Sequence, residues 1–384
     1  MSSLLERGVE TIYPSREGLE ALLKSGRKLS VYLGIDPTGP DLHLGHSVLL
    51  RKLKAFADAG HRTILVLGDF TARIGDPSGK KTSRRALTEE EVKANLKNYH
   101  SQLGKILDFK KTEIVSNSQW LAKLSLAEVV KLASAFTVAQ MLERDMFAER
   151  QKRGEPVYLH ELFYPLMQGY DSVALGVDLE IGGSDQTFNM LVGRTMLKRQ
   201  GKEKFVLALK LLTDPTGKKM GKTEGNMVAL TDSPQEMYGK IMSWPDSLLE
   251  TAFELCTEVP FDEIKELAGS RPLQAKKRLG REIVSLYYSC DVAESAEADF
   301  VTAFQKQGVP ENLEEIVTER GERLADILLR AGVVVSKSEF RRLVADGAIF
   351  NLENQTAISD SSAAVTAPLI LRIGKKRFVK IVLK

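Results

Sequence analysis

Residues 29–67 read LSVYLGIDPTGPDLHLGHSVLLRKLKAFADAGHRTILVL. Two short apolar runs, Leu29 to Ile35 and Thr63 to Leu67, bracket a segment in which Leu49, Leu53 and Phe56 fall on one helical face and Gly60 stands as a C-cap. That is a β-α-β unit. Thr112 to Val115, Asp178 to Ile181 and Phe205 to Leu209 repeat the short apolar pattern, with Gly- or Asp-rich loops at the carboxyl ends. Strand and helix in alternation predict an α/β fold: a Rossmann-like, mainly parallel sheet covered by helices, with ligands bound in the crevice beyond the strand carboxyl ends.

Outward from that unit, the first 225 residues keep this character. From 226 to 318 the chain turns to Leu-, Ile-, Lys- and Glu-rich helical segments separated by Trp244-Pro245, Pro260 and Arg271-Pro272, which predicts a helical domain. A small α+β module follows over 319–384. Leu324, Ile327 and Leu328, then Phe340, Leu343 and Val344, mark two short amphipathic helices; Ala348 to Leu352, Leu369 to Ile373 and Phe378 to Leu383 mark strands, the last two joined by Gly374-Lys375-Lys376. Residues 321–384 carry 11 Lys/Arg against 6 Asp/Glu, a net of +5 in a chain whose formal charge is +3, so the rest carries −2. A basic excess on a small terminal module suits RNA binding.

At 384 residues and 43% hydrophobic composition, the chain can bury a full-sized core. No run approaches the ~18 apolar residues of a membrane helix, and Met1 to Glu10 holds no apolar leader core, so the expected address is the cytoplasm. Cys256 and Cys290 are the only cysteines, both expected as buried small hydrophobes, with neither disulfide nor metal spacing.

Two motifs carry chemistry. The first is Gly34-Ile35-Asp36-Pro37-Thr38 followed by His43-Leu44-Gly45-His46 at a helix start. Such a start offers backbone N–H groups to an anion, imidazoles one turn apart can bond phosphate oxygens, and Gly45 lets a purine nucleoside approach the backbone. The same residues could be a helix capped by Asp41 with two surface histidines. The second motif is Lys218-Lys219-Met220-Gly221-Lys222-Thr223, a loop whose ammonium groups could neutralise charge as pyrophosphate leaves, or which could be an ordinary solvated loop. Gly75 to Thr82 has the flavour of a phosphate loop, but only three residues separate its glycines where four are required.

In this order and about 175 residues apart on a strand-and-helix background, the two motifs resemble the paired signatures of class I aminoacyl-tRNA synthetases. The resemblance is closer to the bacterial tyrosyl-tRNA synthetases and extends over nearly the whole chain. It rests on Tyr32-Leu33-Gly34-Ile35-Asp36-Pro37-Thr38, Ile74-Gly75-Asp76-Pro77-Ser78-Gly79-Lys80, Tyr164 with Gln168 and Asp171, Ile181-Gly182-Gly183-Ser184-Asp185-Gln186, and a final module similar to S4-type RNA-binding domains. Leu44 replaces the usual isoleucine of the first signature, and Gly221 and Thr223 replace the serines of the second.

The resemblance implies an ATP-dependent ligase that activates L-tyrosine as an adenylate and transfers it to the terminal ribose of tRNA(Tyr). It implies that Tyr32 and Asp171 flank the phenol hydroxyl, that Asp76, Tyr164 and Gln168 hold the ammonium, and that Gln186 lies at the reacting end of the amino acid. Asp185 would bind ribose, Gly34, Asp36, Gly45 and Gly183 the nucleotide at close range, and Leu211 and Leu212 the adenine. Thr38, His43, His46, Lys80, Arg84, Lys219, Lys222 and Thr223 would stabilise the charge that moves. Tyrosine differs from phenylalanine by one hydroxyl, so the pocket needs buried polar groups left unpaired without it; this discrimination is a worked case for these enzymes. Mg2+ would arrive on ATP, with no dedicated protein metal site. The helical domain would face the anticodon side. Arg341, Arg342, Lys375, Lys376 and Arg377 are candidates for phosphate contacts. The family is homodimeric, and Leu121 to Gln151 is a candidate interface.

Three rivals share parts of this pattern. A tryptophanyl-tRNA synthetase has the same signatures but not the DPSGK segment or the S4-like tail. A nucleotidyltransferase on the same scaffold has no use for two appended domains. A non-catalytic RNA-binding relative has no need of both histidines and both lysines.

Overall fold

The structure, a computed structural model, describes residues 2–78, 86–143, 145–213, 227–269, 272–304, 313–352, 356–374 and 377–384. The chain forms two compact units, Met1–Ser289 and Cys290–Lys384.

In the first unit six strands form one sheet: β1 (Val9–Tyr13), β2 (Ser30–Ile35), β3 (Arg62–Leu67), β4 (Thr112–Ser116), β5 (Leu179–Gly183) and β6 (Phe205–Leu209). Their order is β1-β6-β5-β2-β3-β4, parallel throughout except for β1, which runs antiparallel to β6. Every residue of β5 and β6 is buried, as expected of central strands covered on both faces. β1 has no counterpart in the sequence reading. It is an edge strand in which only Ile12 is buried, so the apolar run that marks an inner strand is missing.

From β2 the chain runs outward through β3 and β4, then returns to lay β5 on the other side of β2. The strand order therefore reverses between β2 and β5, and a crevice opens there at the strand carboxyl ends. The helix Leu44–Asp58 joins β2 to β3, buries Leu50, Leu53 and Phe56, and ends before Gly60 at φ +86°, a conformation that favours glycine. Helices Leu159–Leu175 and Thr187–Arg199 flank β5. They meet closely at Gly169, where a Cβ would lie 3.0 Å from the backbone nitrogen of Gly193. Helices Pro234–Met242, Leu249–Cys256, Phe261–Ala268 and Pro272–Tyr287 realise the helical character read from residue 226 onward.

The second unit opens with the helix Cys290–Phe304. It then builds a five-stranded sheet from β7 (Glu314–Thr318), β8 (Ile349–Asn351), β9 (Thr356–Ala357), β10 (Leu369–Ile373) and β11 (Arg377–Leu383), in the order β7-β11-β10-β8-β9. Its core joins Leu324, Ile327, Leu328, Phe340 and Val344 of two short helices to Leu371, Val379 and Ile381 of the sheet. Cys256 is buried as expected, but Cys290 is exposed, because it is the first residue of its helix and has no turn above it to cover it. No described helix is long and apolar enough to cross a membrane.

Candidate active site

A cavity of about 300 Å³ lies at the strand reversal, lined by the carboxyl ends of β2 and β5, the start of the Leu44–Asp58 helix and one face of the Leu159–Leu175 helix. Gly34, Asp36, Thr38, His43, Gly45, His46, Asp76, Tyr164, Gln168, Asp171, Gly183, Asp185, Gln186, Leu211 and Leu212, all singled out from sequence, contribute to its wall.

The HLGH segment caps its own helix. His43, not Asp41, is the N-cap: its Nδ1 accepts from the Gly45 N–H at 3.1 Å, while the His43 N–H donates to Nδ1 of His46 at 3.3 Å. With both Nδ1 atoms accepting, both neutral imidazoles carry their proton on Nε2. Burial lowers the pKa of His43 to about 4, so it is a neutral donor at physiological pH. A Cβ on Gly45 would lie 2.9 Å from Cε1 of His43, so the glycine makes room for the capping ring as well as for any ligand.

Asp36 accepts from Thr71 Oγ1 at 2.7 Å and from the Tyr164 hydroxyl at 2.9 Å. Gly68 stands against it; a Cβ there would come within 1.9 Å of Asp36 Oδ1. On the helix, Tyr164, Gln168 and Asp171 share the face their i, i+4, i+7 spacing predicts. Asp171 accepts from Trp120 Nε1 at 2.7 Å and from Asn117 Nδ2 at 3.2 Å. Burial pushes the Asp171 carboxyl well above the usual range against the pull of those two donors, and nearby Glu180 and Asp36 raise it further.

Asn189 ties the amide groups together, donating to Gln168 Oε1 at 3.0 Å and to Gln186 Oε1 at 2.9 Å, while Gln186 Nε2 donates to Asp76 at 2.9 Å. Near β5, a Cβ on Gly183 would meet Asp185 Oδ1 at 2.6 Å and Leu211 at 2.7 Å. Lys210 also lines the cavity and pairs with Glu254 at 2.9 Å.

Tyr32 stands apart from this group. It is wholly buried and absent from the cavity wall, with its hydroxyl 3.1 Å from Ser172 Oγ and 3.5 Å from the Gln168 carbonyl. The reason is packing: it shares a core cluster with Ile64, Val66 and Val177, against which Trp120 packs. Lys80, Arg84, Lys219, Lys222 and Thr223, with Lys375 and Lys376, lie outside the described residues. The chain on both sides of the second signature is nonetheless fixed at the site. Leu212 lines the cavity, and Val228 to Leu230 bond to the start of the HLGH segment and the residue before it, through Leu44 N to Val228 O at 3.0 Å and Leu230 N to Leu42 O at 2.8 Å. Arg341 and Arg342 are exposed, and Arg377 donates to the Val333 carbonyl. No cluster among the described residues has the ligands for a metal ion.

Trp120, Asn117, Thr71, Asn189 and Glu180 belong to the site and have no motif in the sequence. Only the turn-and-helix start Asn117-Ser118-Gln119-Trp120 after a strand could have drawn attention to two of them.

The family of tRNA synthetases class I (W and Y) matches residues 24–305. The tyrosine–tRNA ligase of Carboxydothermus hydrogenoformans is 46% identical over 399 residues, covering 99% of this chain and 97% of the relative. That of Moorella thermoacetica is 44% identical over 391 residues, covering 98% and 94%. A C-terminally truncated mitochondrial tyrosyl-tRNA synthetase of Aspergillus nidulans has a similar structure, with a TM-score of 0.65 at 26% identity over 78% of this chain and 93% of that one.

Proposed function

The chain belongs to the tyrosine–tRNA ligases of class I, and from that premise we propose how its cavity works. The protein is an ATP-dependent ligase that charges tRNA with tyrosine. Its reaction begins with in-line attack of the tyrosine carboxylate on the α-phosphorus of ATP, forming a carboxylate–phosphorus bond as the bond to pyrophosphate breaks. A terminal ribose hydroxyl of tRNA(Tyr), the 2′ by family resemblance, then attacks the acyl carbonyl and releases AMP.

The observation that carries this reading is the convergence of two chemically distinct walls at one strand reversal. One wall, Asp76, Tyr164 and Gln168, offers acceptors for an ammonium group, while Asp171, with Tyr32 as the second residue of the phenol end, accepts the phenol proton. The other, His43 and His46 at a helix start, offers neutral donors to phosphate oxygens. Asp36 orients Tyr164, Gln186 lies beside Asp76 at the reacting end, Asp185 takes the ribose hydroxyls, and Leu211 and Leu212 shelve the adenine beside Gly34, Gly45 and Gly183.

No nucleophile is needed, because positioning and charge stabilisation suffice. Thr38, the histidines, Lys80, Arg84, Lys219, Lys222 and Thr223 supply that stabilisation in this reading. Mg2+ would arrive on the nucleotide and would offset part of its charge. Asp36, Asp76 and Asp185 on the cavity wall are carboxylates that suit such an ion.

The helical segments and the S4-like module engage tRNA, with Arg341, Arg342 and Lys375 to Arg377 on phosphates, and the protein works in the cytoplasm. The residues 1–225, 226–318 and 319–384 divide these tasks. Two copies assemble through Leu121 to Gln151. Support for the pairing comes from the helix Leu126–Ala133, which has no buried residue and leaves Leu126 80% and Val130 59% exposed.

The test is amino-acid-dependent exchange of labelled pyrophosphate into ATP with each of the twenty amino acids. Exchange with tyrosine alone is expected. Exchange with tryptophan would overturn the pocket assignment, and none at all would overturn the activation step.

A further inference from the structure

Behind the cavity floor lies a charge pair that the reaction as described does not use. Lys204, just before β6, is wholly withdrawn from water. Its ammonium spends its three protons on the Glu180 carboxylate, on Ser172 Oγ at 2.7 Å and on the Met190 carbonyl at 3.0 Å. The space it occupies exists because residue 193 is glycine; a Cβ there would lie 2.8 Å from Lys204 Nζ. Glu180, on β5, is also buried, yet it reaches the cavity wall. Its Oε1 accepts from Gln168 Nε2 at 3.1 Å and its Oε2 from Ser172 Oγ at 3.3 Å.

Such a pair is a poor device for stability, because removing two charges from water offsets most of their attraction. Its consequence is polarity. An ionised carboxylate can only accept, so Gln168 must turn its amide N–H toward Glu180 and its carbonyl the other way, where Asn189 also donates to it. A protonated or amide side chain at position 180 could donate instead, and the Gln168 amide could then reverse. Reversal would present N–H groups to the cavity, and two donors facing each other repel an ammonium.

We propose that Lys204 is a positioning residue for amino-acid recognition: it holds Glu180 as a pure acceptor, and Glu180 fixes the Gln168 amide with its carbonyl toward the ammonium group of tyrosine. The inference rests on reading Gln168 as an ammonium acceptor. Lys204 touches no substrate; it acts on Gln168 across two hydrogen bonds, and the pair sets which end of an amino acid the floor welcomes.

The experiment compares tyrosine with 3-(4-hydroxyphenyl)propionate, which keeps the phenol and the carboxylate and lacks the ammonium. The KM for tyrosine and the inhibition constant of the analogue are measured by pyrophosphate exchange on the full chain. In Lys204→Met and in Glu180→Gln, the tyrosine KM is expected to rise about 30-fold with the analogue constant changed less than about threefold, as fits loss of one charge-assisted contact. In the double variant Lys204→Met with Glu180→Gln, the introduced amide can turn its carbonyl to Gln168. The tyrosine KM should then return to within about threefold of the parent.

A parallel rise for tyrosine and analogue, or a double variant no better than Lys204→Met, would overturn the proposal. Should Lys204→Met fail to fold, Glu180→Gln and the double variant decide alone. Gln168→Leu separates the two layers of argument. If it leaves the tyrosine-to-analogue ratio unchanged, the ammonium role of Gln168 fails; if it lowers that ratio while the variants at 180 and 204 do not, only the role of Lys204 fails.

Discussion

Trp120 Nε1 donates to Oδ1 of Asp171 at 2.7 Å, joining the short helix Ser118–Leu121 after β4 to the helix that lines the cavity. This bond aims a buried carboxylate that otherwise has Asn117 as its partner. Trp120→Phe keeps the ring and removes the donor. The ratio of kcat/KM for tyrosine over phenylalanine in pyrophosphate exchange is expected to fall about 10-fold, because the carboxylate loses one of the bonds that point it at the phenol. An unchanged ratio would count against Asp171 as the phenol acceptor.

Gly68→Ala places a methyl group where Asp36 Oδ1 and Thr71 Oγ1 now sit, at 1.9 and 2.4 Å from the new carbon. Asp36 has to swing away and release Tyr164. The expected result is a loss of roughly 100-fold in the activation rate, as follows from displacing a positioning group by about 1 Å. Single-turnover formation of tyrosyl-adenylate measures it directly.

The helix cap at His43 makes stability depend on pH in a defined direction. Its pKa is lowered from 6.5 to about 4 by burial, so the unfolded chain binds the proton more readily than the folded one. The stability tied to neutral His43 is full above pH 6.5 and is lost as pH falls toward 4. Asn also caps helices but does not titrate. Urea unfolding of His43→Asn between pH 4 and 6.5 should therefore give a shallower slope than the parent, by on the order of 1 kcal/mol per pH unit. Identical slopes would mean the ring takes up its proton equally in the folded and unfolded chain.

Leu126→Glu combined with Val130→Glu puts two charges one turn apart on a helix face that buries nothing within its own chain. If that face joins two copies, sedimentation should change from the mass of two chains to that of one at micromolar concentration, with thermal stability of the single chain shifted by no more than about 1 kcal/mol. A parent protein that sediments as one chain would dispose of the pairing.

Much of this arrangement is legible in the sequence, for a physical reason. The strand–helix–strand stretch 29–67 announces itself by local periodicity, and Tyr164, Gln168 and Asp171 fall on one face by arithmetic alone. What escapes is whatever depends on chain segments meeting at long range. Trp120 and Asn117 act on a helix some fifty residues away, Asn189 links side chains from two helices and a loop, and Lys204 reads as one more lysine ahead of a strand. The position of Tyr32 escapes for the same reason. The side of β2 on which its ring lies follows from the strand, but the depth at which the helix covers it does not. Gly68 and Gly193 are equally silent, since nothing local says that a carboxylate or an ammonium will pass where their side chains would be.

The reversal of strand order between β2 and β5 also bears on the life history of the chain. Asp36 and the histidines belong to the first quarter of the polypeptide, whereas Gln168, Asp185 and Gln186 follow more than a hundred residues later and must be inserted beside strands already made. A ribosome that has delivered only the first third has made Asp36 and the histidines and none of Gln168, Asp185 or Gln186 to face them. Substrates that later span both walls bind only the completed sheet, so they act as a clasp across its seam, and each resists reopening in proportion to how tightly it is held.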